Sequence, residues 1–172
     1  STYCLDRIYE GKETLCIHNP ATGREKFMPH EITSKTKKVK KIVIVGAGPA
    51  GLEAARVCAE RGHKVVVFEA TNSAGGQVNL ICKSNRRKDM IGIIDWRLEI
   101  CKKLNVKIIY NCLASTKNIL SEKPNVIIIA TGGIPNTKIL KEGSDLVSST
   151  WDIITGNVSI EDDVILYDDN GS

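Results

Sequence analysis

No stretch of this 172-residue chain approaches the roughly 18 consecutive apolar residues that a membrane-spanning helix needs. No signal-peptide pattern is visible either. No pair of cysteines is spaced Cys-x-x-Cys. Cys58, Cys82, Cys101 and Cys112 are scattered, which disfavours a redox disulfide. Nothing suggests secretion, so a reduced, cytoplasmic pool of thiols is expected. Histidines are few, and His18, His30 and His63 have no recognisable partners. No residue reads as a proton-transfer catalyst, and none is assigned. Aromatic residues make up 5% of the chain, and none interleaves the basic run Ser34–Lys41. Much of the net charge of +4 sits in that run, which reads as a solvated linker rather than a nucleic-acid contact.

What is present is concentrated in Lys41-Ile-Val-Ile-Val-Gly-Ala-Gly-Pro-Ala-Gly51, followed by Val65-Val-Val-Phe-Glu69. This reads as a buried strand, a glycine turn, a helix, a second buried strand and an acid. Gly46 lets the chain turn sharply out of the strand. At Gly48 any Cβ would collide with a bound pyrophosphate, and Gly51 lets the helix pack close to the sheet. Beyond Pro49 and Ala50, the start of the helix aims free amides and partial positive charge at phosphates. Glu69 lies 23 residues after Gly46, near the usual spacing of about 20, where a carboxylate accepts the hydroxyls of an adenosine ribose. The same carboxylate repels a 2′-phosphate, so FAD, NAD or ADP fits better than NADP.

The expected fold is α/β, a Rossmann-like parallel sheet of the FAD/NAD(P)-binding type with an irregular N-terminal extension. Strands are expected at 41–45, 64–69, 106–110 and 125–129, and helices at 49–61 and 89–104. The stretch Ala70–Asn79, with Gly75 and Gly76 ahead of Gln77, reads as a loop suited to closing over a cofactor. Val164–Tyr167 reads as a strand entering a turn. The chain starts at Ser1 without a methionine, and that strand has no partner after it. A fragment of a longer polypeptide is expected, with an N-terminal segment 1–33, a linker 34–40, a nucleotide-binding domain 41–163 and the start of a second subdomain 164–172.

A second glycine turn, Ile127-Ile-Ile-Ala-Thr-Gly132, accompanies the first. Together they resemble the flavoproteins with two dinucleotide-binding domains. That resemblance implies FAD or ADP contacts at Gly46, Gly48, Pro49, Ala50, Gly51, Glu69, Ala70, Gly76, Gln77, Ala130, Thr131 and Gly132. Cys4 and Cys16, separated by eleven residues and followed by Ile-His-Asn-Pro20, sharpen it. They resemble the last two cysteines of the iron–sulfur segment in the 2,4-dienoyl-CoA reductase, trimethylamine dehydrogenase and N-methylproline demethylase-like family. In that family an old yellow enzyme-like barrel carries FMN, and a [4Fe–4S] cluster with four cysteine ligands precedes a domain like this one. The resemblance implies that Cys4 and Cys16 are two of the four ligands, effective only in the full-length protein.

Asp168-Asp169-Asn170-Gly171 follows the last apolar run, where the dienoyl-CoA reductases are expected to hold the NADPH pyrophosphate. Carboxylates there repel a phosphate. The chain therefore looks more like the amine-oxidising branch, as does Asn19-Pro-Ala-Thr-Gly-Arg-Glu25. The implied parent is an oxidative amine dehydrogenase or N-demethylase that passes electrons from FMN through the cluster. The implied partners are a small-molecule substrate in the barrel and an external electron acceptor, with no nucleic acid and no membrane; a homo-oligomer is compatible. The alternatives are an NADPH-dependent dienoyl-CoA reductase-like enzyme and a non-catalytic structural ADP-binding module.

Overall fold

The computed structural model describes residues 3–32, 36–136, 142–160 and 163–168. Ser34 and Lys35 of the linker and the acidic turn from Asp169 onward lie outside those residues.

Four short strands carry the fold: β1 (Lys41–Val45), β2 (Lys64–Phe68), β3 (Lys107–Ile109) and β4 (Val126–Ile129). All neighbours pair in parallel, in the order β3-β2-β1-β4. The two central strands, KIVIV and KVVVF, are apolar on both faces because both faces are covered. On one face Ile42, Ile44, Val65 and Val67 pack with Leu52 and Ala55 of α2 (Pro49–Glu60) and with Ile94 and Cys101. On the other, Val43, Val66 and Phe68 meet Ile109, Cys112, Ala114 and Ile119. The register sets Val43 beside both Val66 and Ile127, so the carboxyl ends of β1, β2 and β4 come together.

The remaining helices are α1 (Tyr3–Tyr9), α3 (Gln77–Ile81), α4 (Gly92–Lys103), α5 (Thr116–Ser121) and α6 (Thr150–Thr155). Several bounds differ from the sequence reading. The helix expected from residue 89 begins at Gly92, because Lys88–Ile91 winds as a 3₁₀ turn ahead of it. Glu69 lies just past β2, and Ala70–Asn79 is not all loop, since α3 starts at Gln77. Val164–Tyr167 forms no strand. Its four side chains are exposed, and no neighbouring strand among the described residues supplies the hydrogen bonds a strand requires.

Helices α5 and α6 lie outside the expected elements, although each carries a readable signal. Ser115 accepts from the Asn118 amide while the Asn118 side chain accepts from the Ser115 amide, and Ser149 with Asp152 repeats the pattern. Gly62, at φ +89°, ends the turn after α2, as its position just past the helix predicts. The N-terminal extension consists of α1 followed by a succession of turns across residues 17–28.

Candidate functional site

The first glycine turn sits where β1, β2 and β4 end. Gly46 leaves β1 at φ +103°, a conformation that favours glycine. A Cβ on Gly46 would strike the carbonyl of Ala130, and one on Gly51 would strike the carbonyl of Gly46. Those two glycines are therefore required by the protein itself, because the two glycine turns rest against each other. Gly48 differs. Its backbone is ordinary, at φ −71°, and a Cβ there would meet nothing within 4 Å. No neighbouring atom explains the missing side chain at Gly48; the space above it is open, a candidate crevice.

The amino end of α2 faces that crevice. Pro49 occupies the first turn, where its missing N–H costs nothing, and no side chain caps this end. The first-turn amides of Ala50 and Gly51 have no intrahelical acceptor by construction. A twelve-residue helix supplies partial positive charge there, so the crevice suits an anion.

Glu69 stands at the side of the same turn and is 8% exposed, the only charged side chain of the buried core among the described residues. Its Oε2 accepts from the Ala47 amide at 2.8 Å. Its Oε1 accepts from the Thr71 amide at 2.9 Å and the Thr71 hydroxyl at 2.8 Å. The carboxylate thus braces the glycine turn as well as bordering the crevice. That bracing role, and the place of Thr71 in it, do not follow from the sequence motif. An acid followed two residues later by threonine was the available signal, but only the fold brings Ala47 to Glu69.

The other expected contacts gather around the crevice. Ala70, Gly76, Gln77, Thr131 and Gly132 are exposed at its rim, while Ala130 is half-buried against Gly46 and Gly51. Gly76, at φ +53°, comes so close that its Cβ would lie 3.4 Å from the Cα of Gly48. Gln77 Nε2 donates to the Gly133 carbonyl at 3.2 Å, joining the loop after β2 to the loop after β4. Gly75 donates to the Ala47 carbonyl and Ala130 to the Val45 carbonyl, at 2.9 and 2.8 Å. The two glycine turns and the loop after β2 are thus brought together at the carboxyl ends of β1, β2 and β4.

The two N-terminal cysteines make a different picture. Cys4 lies on α1, while Cys16 lines a cavity of about 180 Å³ with Tyr3, Leu15, Pro20 and Arg24. Both are half-buried free thiols. Among the described residues no three His, Cys, Asp or Glu side chains come together as a metal site. Two thiolates fall short of the usual four for an iron–sulfur cluster, so these residues alone do not form one. Cys101 lies apart from both, on the buried face of α4. Burial pushes its thiol up to about 11, and its Sγ lies 3.7 Å from the Leu52 carbonyl.

Residues 44–98 match the model of the NAD(P)-binding Rossmann-like domain. The chain is 54% identical over 171 residues to a probable N-methylproline demethylase of Rhizobium meliloti, covering 99% of this chain and 25% of that protein. It is 47% identical over 156 residues to a multifunctional alkene reductase/demethylase OYE of Caballeronia cordobensis, covering 91% of this chain and 23% of the relative. A solved 2-naphthoyl-CoA reductase, in complex with 2-naphthoyl-CoA, superposes with a TM-score of 0.85 at 36% identity, over 93% of this chain and 24% of that one. The chain spans about a quarter of the length of the curated relatives it matches.

Proposed function

The chain belongs to the flavin oxidoreductase family of the N-methylproline demethylases and OYE-like alkene reductases, as part of its nucleotide-binding region, and on that premise we propose that it holds the ADP moiety of FAD, or ADP itself. The observation that carries this reading is Gly48. It alone of the three motif glycines has no protein atom for its absent Cβ to avoid.

On this reading the pyrophosphate lies over Gly48 against the amides that open α2. The ribose lies beside Glu69, and the rim residues Gly76, Gln77, Thr131 and Gly132 close around the rest. When FAD is bound, its flavin supplies the redox chemistry, and this chain's residues position it and exclude water. The parent is an oxidative amine dehydrogenase or N-demethylase, in which a barrel carries FMN and Cys4 and Cys16 contribute to a [4Fe–4S] cluster completed by ligands elsewhere. Its partners are a small-molecule amine and an external electron acceptor. The 54% identity to the probable demethylase supports that branch. The likeness to 2-naphthoyl-CoA reductase supports a second reading, an enoyl reductase fed by NADPH. Stopped-flow mixing of the full-length protein with NADPH separates them, since rapid flavin bleaching is expected only of the second.

Titration calorimetry with ADP tests the site itself. The chain is expected to bind, and Gly48→Val is expected to lose at least about tenfold in affinity, about 1.4 kcal/mol. Its circular dichroism should stay that of the folded sheet. Undiminished ADP affinity in Gly48→Val refutes the reading. Visible absorbance then tells a yellow FAD complex from a colourless ADP one.

A further inference from the structure

The Thr71 side chain makes two contacts that one hydroxyl proton cannot serve at the same time. Its Oγ1 lies 2.8 Å from Glu69 Oε1 and 2.8 Å from the Ser73 carbonyl oxygen. A threonine hydroxyl donates only once. The backbone on both sides of it is pinned. The Thr71 amide donates to Glu69 Oε1, and its carbonyl accepts from the Asn111 amide, each at 2.9 Å. The loop after β3 thereby holds the loop after β2, and both acceptors are in reach of the Thr71 hydroxyl without the chain moving.

The acceptor capacity of Glu69 gives that rotation a consequence. A carboxylate offers about four lone-pair positions. The Ala47 amide, the Thr71 amide and the Thr71 hydroxyl fill three of them. The two hydroxyls of a ribose need two positions, and one remains. Turning the Thr71 hydroxyl to Ser73 opens the second and leaves no donor without an acceptor.

We propose that Thr71 is a positioning residue of the nucleotide site: its hydroxyl bonds Glu69 in the nucleotide-free protein and yields that acceptor position to a ribose hydroxyl by turning to the Ser73 carbonyl, which sets how strongly ribose is preferred over 2′-deoxyribose. The proposal rests on the nucleotide reading above. Thr71 competes with the second sugar hydroxyl, so removing its donor strengthens the preference rather than weakening it. A nucleotide with one sugar hydroxyl uses the position already open and gains nothing.

Calorimetric titration of the nucleotide-free chain with ADP and with 2′-deoxyADP tests this. Wild type is expected to prefer ADP. Thr71→Val, which keeps the shape and loses the donor, is expected to widen that preference by about three- to tenfold, the difference between a hydrogen bond to a charged acceptor and one to a neutral carbonyl. Thr71→Ser, which keeps the hydroxyl, is expected to restore the wild-type ratio. A loop that merely loosens in Thr71→Val weakens both nucleotides alike and leaves the ratio unmoved. An unchanged ratio in Thr71→Val, a Thr71→Ser ratio shifted as far as that of Thr71→Val, or equal wild-type affinity for the two nucleotides overturns the proposal. Wild type that binds neither nucleotide overturns the nucleotide reading as well, whereas wild type that prefers ADP with an unmoved ratio in Thr71→Val overturns the role of Thr71 alone.

Discussion

Three glycines at one turn are absent a side chain for different reasons. Gly46 and Gly51 make room for the second glycine turn at Ala130 and for each other, whereas Gly48 makes room for nothing in the chain. Glu69 shows the same doubling of purpose. It borders the crevice, and it also satisfies the buried Ala47 amide. An amide left buried without an acceptor costs about 1–3 kcal/mol. Glu69→Ala is therefore expected to lower unfolding stability by about that amount and also to weaken ADP binding by about 1–3 kcal/mol. Urea denaturation and calorimetry read the two effects separately. A variant with wild-type stability and lowered affinity would mean that Glu69 serves only the ligand.

At the scale of elements, α2 and α4 are held by a charged seam above an apolar one. Glu53 of α2 accepts from Arg56 at 2.6 Å and from Arg97 of α4 at 2.9 Å, and Arg56 also reaches Glu60 at 2.8 Å. Both guanidinium groups lie within 6 Å of the Trp96 ring centre, where its face attracts cations. Burial pushes the Glu53 carboxyl up, but the hydrogen bonds and charges of Arg56 and Arg97 outweigh burial and hold it below the ordinary carboxylate range. A carboxyl whose folded pKa is depressed stabilises the fold above its unfolded pKa of about 4.3, and that contribution is lost as pH falls through the folded value. Glu53→Gln removes the titrating group. It is expected to be less stable than wild type near neutrality and to lose less on acidification from about pH 6 to about pH 3. Parallel urea midpoints for the two proteins at both pH values check this; equal acid losses would show that Glu53 is not part of the acid sensitivity.

Across the whole molecule the sheet is unevenly covered. The central strands β1 and β2 are buried, whereas β4, Val126-Ile-Ile-Ile129, is an edge strand with Val126, Ile127 and Ile129 exposed, Ile129 at 65%. A continuous apolar strand suits a parallel sheet covered on both faces, and an exposed apolar edge is a template for pairing with another chain. The chain is expected to self-associate as its concentration rises. Ile129→Lys, which places a charge on that edge, is expected to reduce the association. Sedimentation velocity across a concentration series checks it, and identical concentration dependence in the two proteins would clear the β4 edge of responsibility.

The order of strand, glycine turn, helix, strand and acid was legible from residues alone, because each depends on local pattern: runs such as KIVIV and KVVVF suit interior parallel strands, and a glycine at position 46 permits a turn that other residues make only with strain. The capping serines of α5 and α6 were equally local and could have been read. Tertiary structure decided the rest. Whether a glycine spares the protein or a ligand depends on what lies opposite its absent Cβ, and at Gly46 that is Ala130, far along the chain. Whether Glu69 is occupied depends on Ala47 and Thr71, brought to it by the packing of separate loops. Val164–Tyr167 has the composition of a strand but forms none, because a strand exists only where another backbone completes its hydrogen bonds, and none does so among the described residues.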